Sequence, residues 1–194
     1  MTGSGARPRS DTRRQILEVA LELFAARGYE RTSLREIAER LGVTKAAVYH
    51  HFKTKEEITV SLCEILTRPI EELIEWGRRQ PPTPEVRQQL VRRYGRSLAD
   101  AAPLHRFLQE NQATVRDLRI GDILRDQLRR VHDLLVPAQG DLVDRVRCLS
   151  ALLTLQAGMC AFQAAEGDVD QRHAAVIEVA VDLVAQAHAA GRIS

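Results

Sequence analysis

The sequence predicts an all-α protein. Apolar residues recur at helical spacing along almost the whole of the 194-residue chain. Hydroxyl caps and glycine stops punctuate that spacing at intervals that suit helices. Aromatic residues make up only 4% of the chain, too few for the strands of a sandwich or barrel. With 44% hydrophobic and 28% charged residues, the composition is that of a globular domain with a real core and excludes disorder.

Each element follows from local signals. Ile16, Leu17, Ala20, Leu21, Phe24 and Ala25 form an apolar stripe, and Gly28 supplies a helix stop. Ser33 with Glu36 reads as a capping box that opens a helix over Leu34 to Arg40, ended by Gly42. Thr44 caps a short helix, Lys45 to His51. Thr54 with Glu57 opens a long one, Lys55 to Arg79. Pro69 lies inside it and predicts a kink or break, because proline removes a backbone donor and clashes with the preceding turn. The run Pro81-Pro82-Thr83-Pro84 is a loop. Helices are expected over Glu85 to Ala101, Leu104 to Asp117 and Ile120 to Leu135, with Pro103, Pro137 and Gly140 at junctions. A helix rich in small residues, Asp141 to Ala165, breaks at Gly167-Asp168 and gives way to the last, Asp170 to Ala190.

Charge is divided unevenly. Residues 1–55 hold 11 Lys and Arg against 6 Asp and Glu, whereas residues 56–194 hold 17 against 20. A basic head on a mildly acidic body suits a polyanion partner for the head alone. Arg7, Arg9, Arg13 and Arg14 read as a basic arm that either reaches phosphates or stays solvated.

Several classes are excluded. Cys63, Cys148 and Cys160 lack Cys-x-x-Cys spacing, so a zinc site is not expected. On one straight helix Cys148 and Cys160 would sit about 18 Å apart, too far for a disulfide. Reduced, buried thiols and a cytoplasmic location are the simplest reading. Cys148 to Ala165 is uncharged but interrupted by Ser150, Thr154, Gln156 and Gln163, which favours a buried or interface helix over a membrane span. No nucleophile elbow, phosphate loop or metalloprotease motif is present, so no catalytic residue, metal or cofactor is assigned.

The strongest signal is LREIAERLGVTKAAVYHHF, residues 34–52. Ala38 permits close approach of two short helices, Gly42 admits the turn, and Ile37, Leu41, Val43 and Val48 lock the pair. The exposed face of the second helix presents Lys45, Ala46, Tyr49 and His50, with Lys53 and Lys55 beyond. Lysine supplies a cation for phosphate or guanine, tyrosine a hydroxyl for phosphate, and alanine a contact for a thymine methyl. Thr32 and Ser33 offer hydroxyl and backbone donors at the preceding helix start.

From Arg14 to Lys55 the chain closely resembles the TetR family of bacterial transcriptional regulators. The resemblance rests on Ile16-Leu17 with Ala20 and Phe24, Gly28-Tyr29, Thr32-Ser33, Ile37-Ala38, the run Gly42 to Phe52, Lys53, and Lys55-Glu56-Glu57. It implies a homodimer of about nine helices per subunit, with a DNA-binding head over residues 1–54 and an effector-binding and dimerisation body over 55–194. It implies DNA contacts by Thr32, Ser33, Thr44, Lys45, Ala46, Tyr49, His50 and Lys55. Ala46-Ala47 stand where many members carry Gly, Ser or Thr, which leaves fewer side chains for base readout.

The resemblance further implies dimerisation through the Asp141–Ala165 and Asp170–Ala190 helices. Small residues there allow close approach, and Leu149, Leu152, Leu153, Leu155, Met159 and Phe162 present more apolar surface than one subunit covers. An effector pocket between body helices is expected to draw on Leu62, Leu66, Trp76, Phe107, Asn111, Gln156, Met159 and Phe162. The expected function is a ligand-released repressor of a palindromic duplex operator, not an enzyme. The competing readings are a ligand-binding or enzymatic bundle with a vestigial head, and a protein-recruiting bundle.

Overall fold

The structure, a computed structural model, describes residues 9–111, 120–161 and 168–189. Among the described residues every element is helical. The head comprises α1 (Arg9–Arg27), α2 (Leu34–Leu41) and α3 (Lys45–His51). The body comprises α4 (Lys55–Arg78), α5 (Pro84–Asp100), α6 (Ala102–Glu110), α7 (Ile120–Leu135), α8 (Leu142–Ala161) and α9 (Val169–Ala189).

The caps act where the sequence places them. Ser33 Oγ accepts the Glu36 N–H while Glu36 accepts the Ser33 N–H, a complete capping box. Thr44, Thr54 and Thr83 each accept an N–H three residues on, at the starts of α3, α4 and α5. Gly42 closes α2 at φ 67°, the left-handed conformation that costs glycine nothing. Its turn is tied by the Val43 N–H donating to the Ala38 carbonyl at 3.1 Å.

Two boundaries differ from expectation. α4 runs unbroken through Pro69. α7 braces it on both sides of the proline: Gln127 Nε2 donates to the Thr67 carbonyl at 3.0 Å and to Glu71 at 2.8 Å, and Arg130 pairs with Glu71 at 2.9 Å. These contacts brace the turns on either side of the missing backbone bond. α6 ends at Glu110, and the expected extension to Asp117 lies mostly outside the described residues. Pro103 sits in the first turn of α6, where its missing donor costs nothing.

One continuous core joins head and body. In the body, α9 packs on α8 and α5 at positions where only glycine fits. A Cβ on Gly158 would meet Val176 Cγ1 at 2.6 Å, and one on Gly95 would meet Ile177 Cγ1 at 2.6 Å. The small residues of α8 thus serve partly to seat α9 within the same subunit. Leu152, Leu155 and Met159, expected on the dimer face, are core residues. α8 leaves Val143 exposed together with Leu142, Val146, Leu149 and Leu153, the last four spaced i, i+4, i+7 and i+11 along one stripe. Phe162 lies outside the described residues.

Candidate nucleic-acid interface

α3 is held by a single deep anchor. Val48 is fully buried, and Tyr49 is partly buried against the same core. Thr44, Lys45, Ala46 and His50 are exposed, so the face expected to read DNA is turned outward. Thr44 Oγ1 accepts the Ala47 N–H at 3.2 Å, which leaves its own hydrogen to donate. The Lys45 ammonium lies 5.1 Å from the Tyr49 ring centroid. Such an exposed cation–π contact is worth about 0.5–1 kcal/mol and yields readily to a phosphate. The His50 and His51 rings meet edge to face at 5.4 Å. Among the described residues no group of three metal-ligating side chains exists.

Three of the expected contact residues have structural duties. Thr32 is buried, and its hydroxyl donates to the Gly28 carbonyl at 3.0 Å and the Leu23 carbonyl at 3.4 Å. Its N–H donates to the Tyr29 carbonyl. Thr32 therefore closes the end of α1 instead of offering donors outward, which corrects the expectation drawn from its hydroxyl. Ser33 is exposed, yet its N–H and hydroxyl both engage Glu36. The Lys55 ammonium donates to the Tyr29 carbonyl at 2.8 Å and lies 4.3 Å from that residue's ring centroid. It fastens the first turn of α4 to the end of α1. Lys53 Nζ likewise donates to the Tyr49 carbonyl.

A joint between head and body emerges from residues that sequence reasoning missed or misplaced. Phe107 of α6 stacks on Phe24 at 5.2 Å between centroids and meets Tyr29 at 6.2 Å. It is a body side chain seated in the head core. Arg13, expected in a basic arm, is helical; it donates to Ser61 Oγ at 2.7 Å and lies over the Phe52 ring. The Tyr29 hydroxyl donates to Glu56 Oε1 at 3.2 Å. Burial, then the neighbouring Glu56 carboxylate, pushes the Tyr29 hydroxyl up to about 12. Glu56 is held below the usual carboxylate range, first by its own backbone N–H at the start of α4. The Gly28-Tyr29 pair was visible in sequence, but its aromatic partner lies 78 residues on and had no local signal.

Among the described residues, the remaining effector candidates occupy several places. Leu62 faces a hollow between α1, α4 and α6, and Met159 lines a different one near the start of α9. Gln156 Nε2 donates to the Tyr94 hydroxyl at 3.0 Å, and Asn111 Nδ2 to the Phe107 carbonyl at 2.8 Å. Trp76 carries the Arg93 guanidinium 4.0 Å over its ring. The side chain of Leu66 lies outside the described residues. Cys63 and Cys148 are buried and unpaired, with burial pushing their thiols up to about 12 and about 11. No helix of the described residues is long and apolar enough to cross a membrane.

Comparison with known proteins places this architecture. Residues 16–62 match the model of the bacterial regulatory proteins of the tetR family. The chain is 43% identical over 75 residues to the HTH-type transcriptional regulator AcrR of Shigella flexneri, covering 38% of this chain and 35% of that protein. It is 35% identical over 85 residues to the HTH-type transcriptional activator FasR of Mycolicibacterium smegmatis, covering 44% and 37%. The match thus spans about a third of the length of these curated relatives. Over a longer range, a transcriptional regulator of Aquifex aeolicus is similar in structure with a TM-score of 0.66 and 25% identity, covering 87% of this chain and 96% of that one. Sequence match in the head and structural match through the body agree: residues 16–62 carry the match to the tetR family of bacterial regulatory proteins, and the fold of the chain is similar to that of a TetR/AcrR-type transcriptional regulator.

Proposed function

We propose that this chain is a cytoplasmic, DNA-binding transcriptional regulator that reads a palindromic duplex operator as a homodimer and is released from it by a small molecule. The observation that carries the reading is the outward face of α3, where Thr44, Lys45, Ala46 and His50 stand exposed around one buried anchor, Val48. Lys45 and the free hydrogen of Thr44 supply phosphate or base-edge donors, and Ala46 permits close approach. Tyr49, partly buried against the core, lies beside that face with the Lys45 ammonium 5.1 Å from its ring centroid.

Dimerisation supplies the geometry. The apolar stripe Leu142, Val146, Leu149 and Leu153 on α8, with Val179 on α9, suits an isologous contact with a second copy. Two α3 helices on a twofold axis would then meet half-sites spaced by about 34–36 Å or a multiple. The sign of regulation is taken as repression, the expectation drawn from the family, although one curated relative is named an activator.

Selecting bound duplexes from a random pool, then measuring affinity across a salt series, tests the reading. A palindromic consensus is expected, with affinity falling by a slope of about −0.9 per phosphate neutralised. Leu149→Glu with Leu153→Glu is expected to yield a folded monomer with greatly weakened duplex binding. Affinity no greater than that of an unrelated acidic protein, at low salt, would defeat the proposal.

A further inference from the structure

α3 is seven residues long, too short to keep its shape or its angle without outside support. Val48 anchors its middle, and the Thr44 hydroxyl caps its start. Its exit depends on Phe52, whose N–H donates to the Val48 carbonyl at 2.9 Å and whose ring is buried. A helix pinned at one deep point tilts about that point unless its end is fixed as well.

Arg13 of α1 reaches that end. Its guanidinium carbon lies 5.1 Å from the Phe52 ring centroid, and Nη2 donates to Ser61 Oγ at 2.7 Å. One planar group thereby joins three elements: α1 carries it, Phe52 ends α3, and Ser61 belongs to the second turn of α4. Arginine suits this place because its flat face stacks on an aromatic ring while its edge donates hydrogen bonds. Glu56 and Glu57 line the same shallow hollow as Arg13 and have other partners. Glu56 accepts from the Tyr29 hydroxyl, and Glu57 accepts the Lys53 N–H at 2.6 Å. Ser61 is buried, so it offers a duplex no contact of its own.

We infer that Arg13 is a positioning residue for duplex binding: it clamps Phe52 to Ser61, fixes the exit of α3 between α1 and α4, and does not itself meet phosphate. The outward face of α3 keeps its side chains whatever happens at Arg13. What the clamp controls is the share of molecules that hold this face at the angle a groove requires, and affinity scales with that share. Arg13 thus acts inside the fold, as Lys55 does at the Tyr29 carbonyl. For its effect on a duplex the inference rests on the proposed function above; for the clamp itself it does not.

The test measures affinity for the selected duplex across a salt series for the full chain, Arg13→Ala, Ser61→Ala and the double variant, and amide exchange of each without DNA. Arg13→Ala is expected to weaken binding by about tenfold, the scale of one hydrogen bond and one exposed cation–π contact, with the salt slope unchanged. Ser61→Ala is expected to weaken it by about threefold, and the double variant no more than Arg13→Ala, because the two act as one unit. Exchange at the Phe52 N–H should quicken by about tenfold in Arg13→Ala. Exchange at the Ile37 N–H, which donates to the Ser33 carbonyl in α2, should stay as it was. Undiminished affinity overturns the inference. So does a salt slope shallower by about 0.9 per arginine removed, which marks a phosphate contact. Additive losses in the double variant, or equal quickening at Phe52 and Ile37, overturn it too. An unaltered chain that selects no duplex removes the functional proposal instead, and the exchange ratio then decides whether Arg13 clamps Phe52.

Discussion

In the head, α2 and α3 start on the hydroxyl caps Ser33 and Thr44, with turns at Gly28 and Gly42; in the body, helices meet at Gly95 and Gly158, where a side chain would strike Ile177 or Val176. The first region is organised by contacts three to five residues apart. The second is organised by contacts between helices far apart in sequence. The difference teaches where each region is vulnerable. A head helix is weakened by removing a cap, a body helix by adding a methyl group. Phe107 belongs to both, since the body supplies it and the head buries it.

The largest expected effect therefore falls on that shared residue. Phe107→Ala should cost about 3–5 kcal/mol, measured by denaturant unfolding, and should uncouple head from body. Loss of cooperativity between near-ultraviolet and far-ultraviolet signals would report the uncoupling. An effect below about 1 kcal/mol would show that the stacked seam contributes little.

Gly158→Ala sharpens the contrast. Overpacking against stiff Val176 costs about 1–3 kcal/mol, against about 1 kcal/mol regained from helix propensity. Net destabilisation is expected, and net stabilisation would mean that α9 has room to shift. In the head, Thr44→Ala should cost about 0.5–2 kcal/mol and weaken duplex binding together with stability, because one hydroxyl caps α3 and faces outward.

How much was legible in the sequence follows the same division. The span of α3, the capping box at Ser33 and the turn at Gly42 were readable because each depends on neighbours within five residues. Thr32 and Lys55 were misjudged although they lie in the most readable stretch. Their polar atoms reach carbonyls of Leu23 and Tyr29, contacts that only the folded chain brings together. Pro69 announced a kink or break; the helix is not broken there, and Gln127 and Arg130 of α7 bond to it on both sides of the proline. The effector residues were least legible, because a cavity is what packing leaves over and no spacing rule encodes it.

Smaller effects separate the regions by pH and reactivity. Hydrogen bonds from the Ser33 hydroxyl and N–H hold Glu36 below the usual carboxylate range. The stability this contributes is present above the unfolded carboxylate value and is lost as pH falls through the lowered folded value. Glu36→Gln should flatten that part of the acid-stability curve; an unchanged curve would remove the capping box from the account. Cys63, its thiol pushed up to about 12 by burial, should resist alkylation in the native protein at neutral pH and react only on unfolding. Rapid native modification would show that α4 opens.

Ala46 offers the most direct test of the claim that α3 grips a duplex. It is exposed in the first turn of α3, where an added carboxylate stabilises a helix slightly and adds no steric burden to the core. The measurement is the affinity of Ala46→Glu for the selected duplex, beside its unfolding curve and an Ala46→Gln control. The account predicts native stability with duplex binding lost in the charged variant and reduced far less in the neutral one. Undiminished binding by Ala46→Glu would contradict it, because a negative charge on the face that meets phosphates would then have gone unnoticed.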